Sequence, residues 1–218
     1  MQARRLRSSH KIMDYRFQPK GFRSELGWYD RGYIPHFDAG RVSQFLTFRL
    51  CDSLPQSVIQ EWRDQTAGLD EEGSVIFRKQ VETYLDQGYG ACFLKDHRVA
   101  TLIEDSLLFH HQKKYELIAW VVMPNHIHFL ARPLEGVELR GIAHSLKSYT
   151  AHEANKLLNR SGQFWQHEPF DRYIRNQKHF LSVVKYIENN PVKAGLCDLP
   201  EDWRFSSAFH RRQRKEPV

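Results

Sequence analysis

The chain has 218 residues, 41% hydrophobic and 27% charged, with a formal net charge of +6. That composition supports one sizeable core and excludes disordered and collagen-like chains, while the basic excess suits a polyanionic partner. Apolar runs such as residues 117–123 are far shorter than the roughly 20 residues of a membrane helix, and the Arg-rich start lacks a signal-peptide core, so a soluble intracellular protein with no membrane partner is expected.

Residues 1–38 read as a basic, aromatic arm. Arg4, Arg5, Arg7 and Lys11 precede Tyr15, Phe17, Phe22, Trp28, Tyr29, Tyr33 and Phe37. Unpaired bases stack on such rings and phosphates meet such cations, although core packing and simple solvation account for the same residues. Residues 44–50 alternate, with Leu46, Phe48 and Leu50 on one side and Thr47 and Arg49 on the other, which predicts a half-buried strand. After Pro55, residues 56–67 and 74–87 have helical spacing, and Gly88-Tyr89-Gly90 ends the second stretch. These helices form an insertion over about 55–90 whose role as lid, partner surface or decoration stays open. Asp96 is the predicted N-cap of a helix reaching residue 111, with Val99, Ile103 and Leu107 inward. Cys51, Cys92 and Cys197 are scattered, without the C-x-x-C spacing of a zinc site or the even count of a disulfide framework.

Residues 117–123 and 126–132 flank Pro124-Asn125, which predicts a tight turn in an antiparallel hairpin. The second strand carries His126 and His128, two residues apart and so on one face, a pair that can grip a divalent ion. Among 12 histidines, the same pair can also be two polar residues on a solvated face. With Ile127, Phe129 and Ala131 toward the core, the histidines and Leu130 need a cover on the other face. A helix over 138–159 is available nearby, striped by Leu139, Ile142, Ala143, Leu146, Ala154 and Leu157, with Arg140, His144 and Lys147 off the stripe. Residues 176–191 form the next predicted helix, opened by Asn176, with Phe180, Val183, Val184 and Ile187 on one face and Tyr186 and Asn190 on its shoulder. A tyrosine and an amide one turn apart can overlook a cleft as nucleophile and oxygen ligand. Taken singly, Tyr186 reads as an amphipathic boundary residue, and Asn190 as a helix cap, because Pro191 biases it away from helical angles.

Four ordered motifs, V-V-M-P-N-H-I-H-F-L, S-L-K-S-Y-T-A-H-E-A-N-K-L-L, F-W-Q-H-E-P-F-D-R-Y-I-R-N and V-K-Y-I-E-N-N-P-V-K-A-G-L, resemble those of the single-tyrosine HUH transposases, IS200-like, and among them the REP-associated branch. The resemblance covers residues 40–208. It implies an α+β fold built on a ferredoxin-like antiparallel sheet with helices on one face, as residues 39–208 between the arm and a basic tail at 209–218. It also implies single-stranded DNA nicking and strand transfer at REP-like hairpins through a 5′-phosphotyrosine. Tyr186 takes the place of the nucleophile, and a Mg or Mn ion is held by His126, His128 and, in an amide-type position, Asn190. Lys147, Arg172, Arg175, Lys185 and Lys193 lie in or beside the motifs and are candidate phosphate contacts, or solvated surface. A cytoplasmic, nucleoid-associated protein is implied, with a monomer favoured over a dimer that exchanges the tyrosine helix.

The chemistry suits these residue types. A phenol near pKa 10 is only about one part in a thousand ionised at pH 7, so it needs a cation to polarise the phosphate it attacks. A covalent link conserves the bond and permits rejoining, which water does not. Two other functions compete: a hairpin DNA or RNA binder that does not cut, and a metal phosphodiesterase that uses water and does not depend on Tyr186.

Overall fold

The computed structural model describes residues 28–30, 35–37, 42–67, 69–167 and 170–214. The arm's cations, its rings Tyr15, Phe17, Phe22 and Tyr33, and Lys215 lie outside the described residues. Within the arm, the backbone of β1 (Trp28–Asp30) pairs antiparallel with β2 (Pro35–Phe37).

The predicted first strand is β3 (Gln44–Arg49), followed by α1 (Gln56–Thr66), α2 (Asp70–Asp86) and α3 (His97–Phe109). The hairpin strands are β4 (Tyr115–Val122) and β5 (His126–Pro133), after which come α4 (Leu139–Leu157), β6 (Phe170–Tyr173), α5 (Gln177–Lys193) and α6 (Ser207–Arg214). The main sheet has the order β4-β5-β3-β6 and every neighbouring pair is antiparallel. Without α1 and α2, the chain runs β3-α3-β4-β5-α4-β6, the split βαβ arrangement of ferredoxin-like sheets. Asp96 and Asn176 cap α3 and α5 as predicted, accepting from the backbone N–H of Arg98 and His179 at 2.9 Å each.

The strands bury both faces, and the alternation of side chains separates the core into two layers. Leu46, Phe48, Ile127, Phe129 and Ala131 pack with Val99 and Ile103 of α3 and with Ile142, Ala143 and Leu146 of α4. The opposite layer joins Phe45, Ala119, Val121 and Leu130 to Val183, Val184 and Ile187 of α5. Helix α4 therefore covers the face away from the histidines, and α5 is their cover. An irregularity between Leu117 and Ala119 adds one residue to β4 and switches its alternation, so that both ends of the strand keep apolar side chains inward.

Beyond the arm strands β1 and β2, β6 and α6 were not anticipated either. Strand β6 is only four residues long and contains Asp171 and Arg172, so pairing with β3 rather than hydrophobic pattern makes it a strand. Residues 209–214, read as tail, continue α6, whose arginines meet acids: Arg211 bonds Glu188, and Arg212 lies 2.9 Å from Asp202. The outer edge of β4 is covered by the segment leading to α6, through a Val122 N–H bond to the Phe205 carbonyl (2.9 Å) and the Trp203 indole bond to the Val122 carbonyl (2.9 Å).

The insertion returns to the sheet beside the histidine hairpin. Gly88 and Gly90 adopt φ of +71° and +92°, and a Cβ on Gly90 would meet the Asp52 carbonyl oxygen at 3.0 Å, so both the left-handed turn and the close approach require glycine. The Ala91 N–H donates to the Asp52 carboxylate at 2.8 Å and the Leu94 N–H to the Pro124 carbonyl at 3.1 Å.

Candidate active site

Cross-strand register sets the floor of the site. On the α5 side of the sheet, Thr47 of β3 faces His128 of β5, and Arg49 faces His126. Both imidazoles are almost wholly buried, with ring centroids 4.5 Å apart. The Phe45 ring lies 5.2 Å from His128 and meets the Tyr186 ring edge-on at 5.9 Å, so the nucleophile candidate and the histidine share one aromatic wall.

Each imidazole is oriented through Nδ1. Thr47 Oγ1 is 2.8 Å from His128 Nδ1, and Asn125 Oδ1 is 2.7 Å from His126 Nδ1. The Asn125 amide has its nitrogen side settled by two acceptors, the carbonyls of Leu85 (3.2 Å) and Tyr89 (3.0 Å). Its oxygen must then face His126 and can only accept, so Nδ1 carries the proton in neutral His126 and Nε2 is left with its lone pair. That Nε2 is buried without a hydrogen-bond partner. Burial pushes the His126 pKa down to about 3, aided by Arg49 and Lys193 and opposed by Asn190; burial, then His126, then Lys193 hold His128 well below the usual imidazole range.

Helix α5 lays Tyr186 and Asn190 over these rings. The Tyr186 hydroxyl stands 3.4 Å from His128 Nε2. Burial, followed by the charges of Glu82 and Asp86 on α2, raises its pKa, so the phenol is protonated in the free protein. Asn190 is fully buried and does not cap the helix. The helix continues through Pro191 to Lys193, because a proline in the last turn removes only its own N–H bond, and the Asn190 backbone carbonyl accepts from the Ala194 N–H at 3.0 Å. Its side chain lies near enough to His126 and Tyr186 to favour the ionised form of each, yet neither amide atom has a hydrogen-bond partner. Unpartnered buried polar atoms cost about 1–3 kcal/mol each, and here they belong to an imidazole nitrogen and an amide, a donor set that fits a divalent cation. His126, His128 and Asn190 are thus the residues able to hold one.

The five candidate phosphate contacts divide. Arg172 pairs with Phe45 in register and so lies on the histidine face, Arg175 follows at the entry to α5, and Lys185 is exposed on α5. Lys193 is one turn past Asn189 and lies 2.5 Å from Asp86 of α2. Lys147 stands on the far side of the sheet, over the Phe48 ring, donating to the carbonyls of Gln166 and His167, so its ammonium closes a loop there. Sequence reasoning missed Thr47, Asn125 and the α2 acids. Thr47 had a weak signal as the polar residue beside apolar Leu46 and Phe48; Asn125 read only as a turn residue.

A sheet with paired inward histidines on a central strand, crossed by a helix that presents a tyrosine to them, is the arrangement that the resemblance to the single-tyrosine HUH transposases implies. In comparison with known families, residues 93–190 match the description Transposase IS200 like, so this part of the chain is similar to the IS200-like transposases. It is 34% identical over 100 residues to the REP-associated tyrosine transposase of Escherichia coli, across 45% of this chain and 57% of that protein. A relative from Haemophilus influenzae is 30% identical over 112 residues, 47% of this chain and 63% of its own length. The matches thus span less than two thirds of either curated relative. In fold, the chain is similar to a REP-associated tyrosine transposase solved bound to a REP hairpin, with a TM-score of 0.55, 19% identity, and coverage of 84% of this chain and 86% of that one. Among the described residues no helix is long and apolar enough to cross a membrane.

Proposed function

We propose that this protein is a divalent-cation-dependent enzyme that nicks and rejoins single-stranded DNA at REP-like hairpins through a 5′-phosphotyrosine on Tyr186. The observation that carries this reading is the Tyr186 hydroxyl 3.4 Å from His128 Nε2, beside the buried, unpartnered His126 Nε2 and Asn190 amide. Names and fold of the relatives point the same way.

His126, His128 and Asn190 would hold Mg or Mn, which when bound polarises the phosphoryl oxygens and offsets charge in the transition state. Burial keeps the two imidazoles neutral, Thr47 and Asn125 turn them inward, and Phe45 fixes the plane against which Tyr186 packs. Because burial and the α2 acids keep the phenol protonated, Tyr186 stays unreactive until a phosphodiester is seated. Tyr186 Oη then bonds to phosphorus while the bond to the 3′ oxygen breaks; the phenol proton is lost and the departing 3′ oxygen gains one, so the products are a tyrosyl 5′-phosphodiester and a free 3′-hydroxyl. Attack by another 3′-hydroxyl reverses these steps and joins strands. One chain supplies both histidines and the tyrosine, which supports action as a monomer; a place in the cytoplasm at the nucleoid belongs to the same proposal and follows from its DNA substrate.

Labelled single-stranded hairpin DNA incubated with Mn or Mg should give a covalent adduct on a denaturing gel, and Tyr186→Phe should bind the hairpin as the wild type does while forming none. Cleavage by Tyr186→Phe would establish a water-using phosphodiesterase instead, and hairpin binding without any wild-type cleavage would establish a binding protein.

A further inference from the structure

Arg49 has no evident structural task. It is the last residue of β3, opposite His126, and cross-strand partners project to the same side, so its side chain leaves the sheet on the histidine face. Its Nε is buried without a hydrogen-bond partner, and its guanidinium makes no hydrogen bond or ion pair with a carboxylate among the described residues. The charge that acts on it is of its own sign, from Arg63 of α1, and together with burial this lowers its pKa to about 10, which still leaves it fully charged at neutral pH. It also lies close enough to His126 to oppose protonation of that ring.

A half-buried cation whose Nε is shut off from water and which has no counter-ion among the described residues is costly and is retained where something else is served. The backbone of Arg49 is held firmly: its carbonyl accepts from the Gln166 N–H at 2.8 Å, and the next residue's N–H, that of Leu50, donates to the Asn125 carbonyl at 2.9 Å. The side chain therefore starts from a rigid strand end, one residue across from a ring whose own Nε2 lacks a partner. Guanidinium forks match the geometry of phosphate oxygens.

We propose that Arg49 is a catalytic residue that receives a non-bridging oxygen of the scissile phosphodiester beside His126, so that β3 supplies the site with a fixed positive charge. This deepens the reaction assigned to Tyr186 and rests on it for the identity of the anion, while the anion site itself stands on the placement of Arg49. The strand end gives the guanidinium its position before the substrate arrives, and the negative charge that grows on the phosphorane oxygens strengthens the contact in the transition state.

Two measurements test it. In metal-free protein, millimolar inorganic phosphate should raise the melting temperature of the wild type, and Arg49→Met should melt higher than the wild type without phosphate but gain nothing from it. A phosphate response retained by Arg49→Met would overturn the anion site. In cleavage, Arg49→Gln should lose roughly 100- to 1,000-fold in kcat, the range for removing one oxyanion donor, with hairpin Kd little changed, and Arg49→Lys should recover part of the loss. With a methylphosphonate at the scissile position, which lacks the charged oxygen, the Arg49→Gln loss should shrink to less than about tenfold. An equal loss on both substrates would mean that Arg49 acts through the fold, and would refute the proposal. Phosphate stabilisation through Arg49 in a protein that forms no tyrosyl adduct would leave the anion site standing and remove the reaction.

Discussion

Asn125→Ala removes three contacts of one fully buried side chain: its amide bonds to the Leu85 and Tyr89 carbonyls, at 3.2 and 3.0 Å, and its contact with His126 Nδ1 at 2.7 Å. Two neutral hydrogen bonds contribute about 1 kcal/mol each, and an imidazole N–H left buried without an acceptor costs about 1–3 kcal/mol, so a destabilisation of about 3–5 kcal/mol is expected. That is within the range a stable domain survives, and urea unfolding measures it. The effect on the site is separable. With no acceptor at Nδ1, His126 is free to move its proton to Nε2, which nitrogen chemical shifts report in metal-free protein, and Mn affinity by calorimetry should fall roughly 10- to 100-fold, the usual consequence of losing the partner that orients a ligating histidine. Asn125→Asp keeps an acceptor toward His126 but turns a carboxylate on two carbonyls. It should preserve the Nδ1–H tautomer while hydrogen exchange at the end of α2 accelerates. An alanine variant with wild-type tautomer and Mn affinity would refute the orienting role.

Metal-free protein should lose stability in acid. His126 and His128 have folded pKa values below the ordinary imidazole value of about 6.5, His126 down to about 3, so below about pH 6.5 the unfolded chain binds more protons; their contribution is complete above that pH and declines as pH falls, by up to about 1.4 kcal/mol per unit for each ring. Urea midpoints at about pH 7.5 and pH 5 should therefore differ in the wild type and converge when both histidines are asparagine, and equal wild-type midpoints would contradict the argument. Glu104, 2% exposed, accepts from the Trp120 indole at 3.1 Å and lies 3.0 Å from both Arg204 and His210, which ties α6 to the sheet. Glu104→Ala should cost about 1–3 kcal/mol by thermal unfolding, mainly from leaving the Trp120 indole N–H without its acceptor, since Arg204 is 47% exposed and turns to water, and a loss under about 0.5 kcal/mol would show that α6 is held mainly by packing.

Local pattern was enough for much of this protein. Alternation in β3, the Pro-Asn turn between β4 and β5, the Asp96 and Asn176 caps and the stripe of α5 follow from spacings of two and 3.6 residues, which the backbone imposes wherever one face is buried. The same rule puts His126 and His128 on one face and Tyr186 beside Asn190. Seeing the resemblance to transposases needed four motifs together, since the residues one by one read more readily as a solvated histidine pair, a boundary tyrosine and a capping asparagine.

Tertiary contact decided the rest. Which helix covers the histidines is not written in their strand: α5 lies there and α4 lies opposite because the apolar sets of β3, β4 and β5 divide between the two faces. Strand β6 exists through its partner, and Arg211 and Arg212 of α6 are committed to Glu188 and Asp202, so neither is visible to a periodicity argument. Thr47, Asn125, Glu82 and Arg49 join the site from positions 61 or more residues before Tyr186 in number but within reach of it or of its histidines in space. Hydrogen bonds and charges act through distance, and sequence order carries none of that information until the sheet register and the return of the insertion bring those groups together.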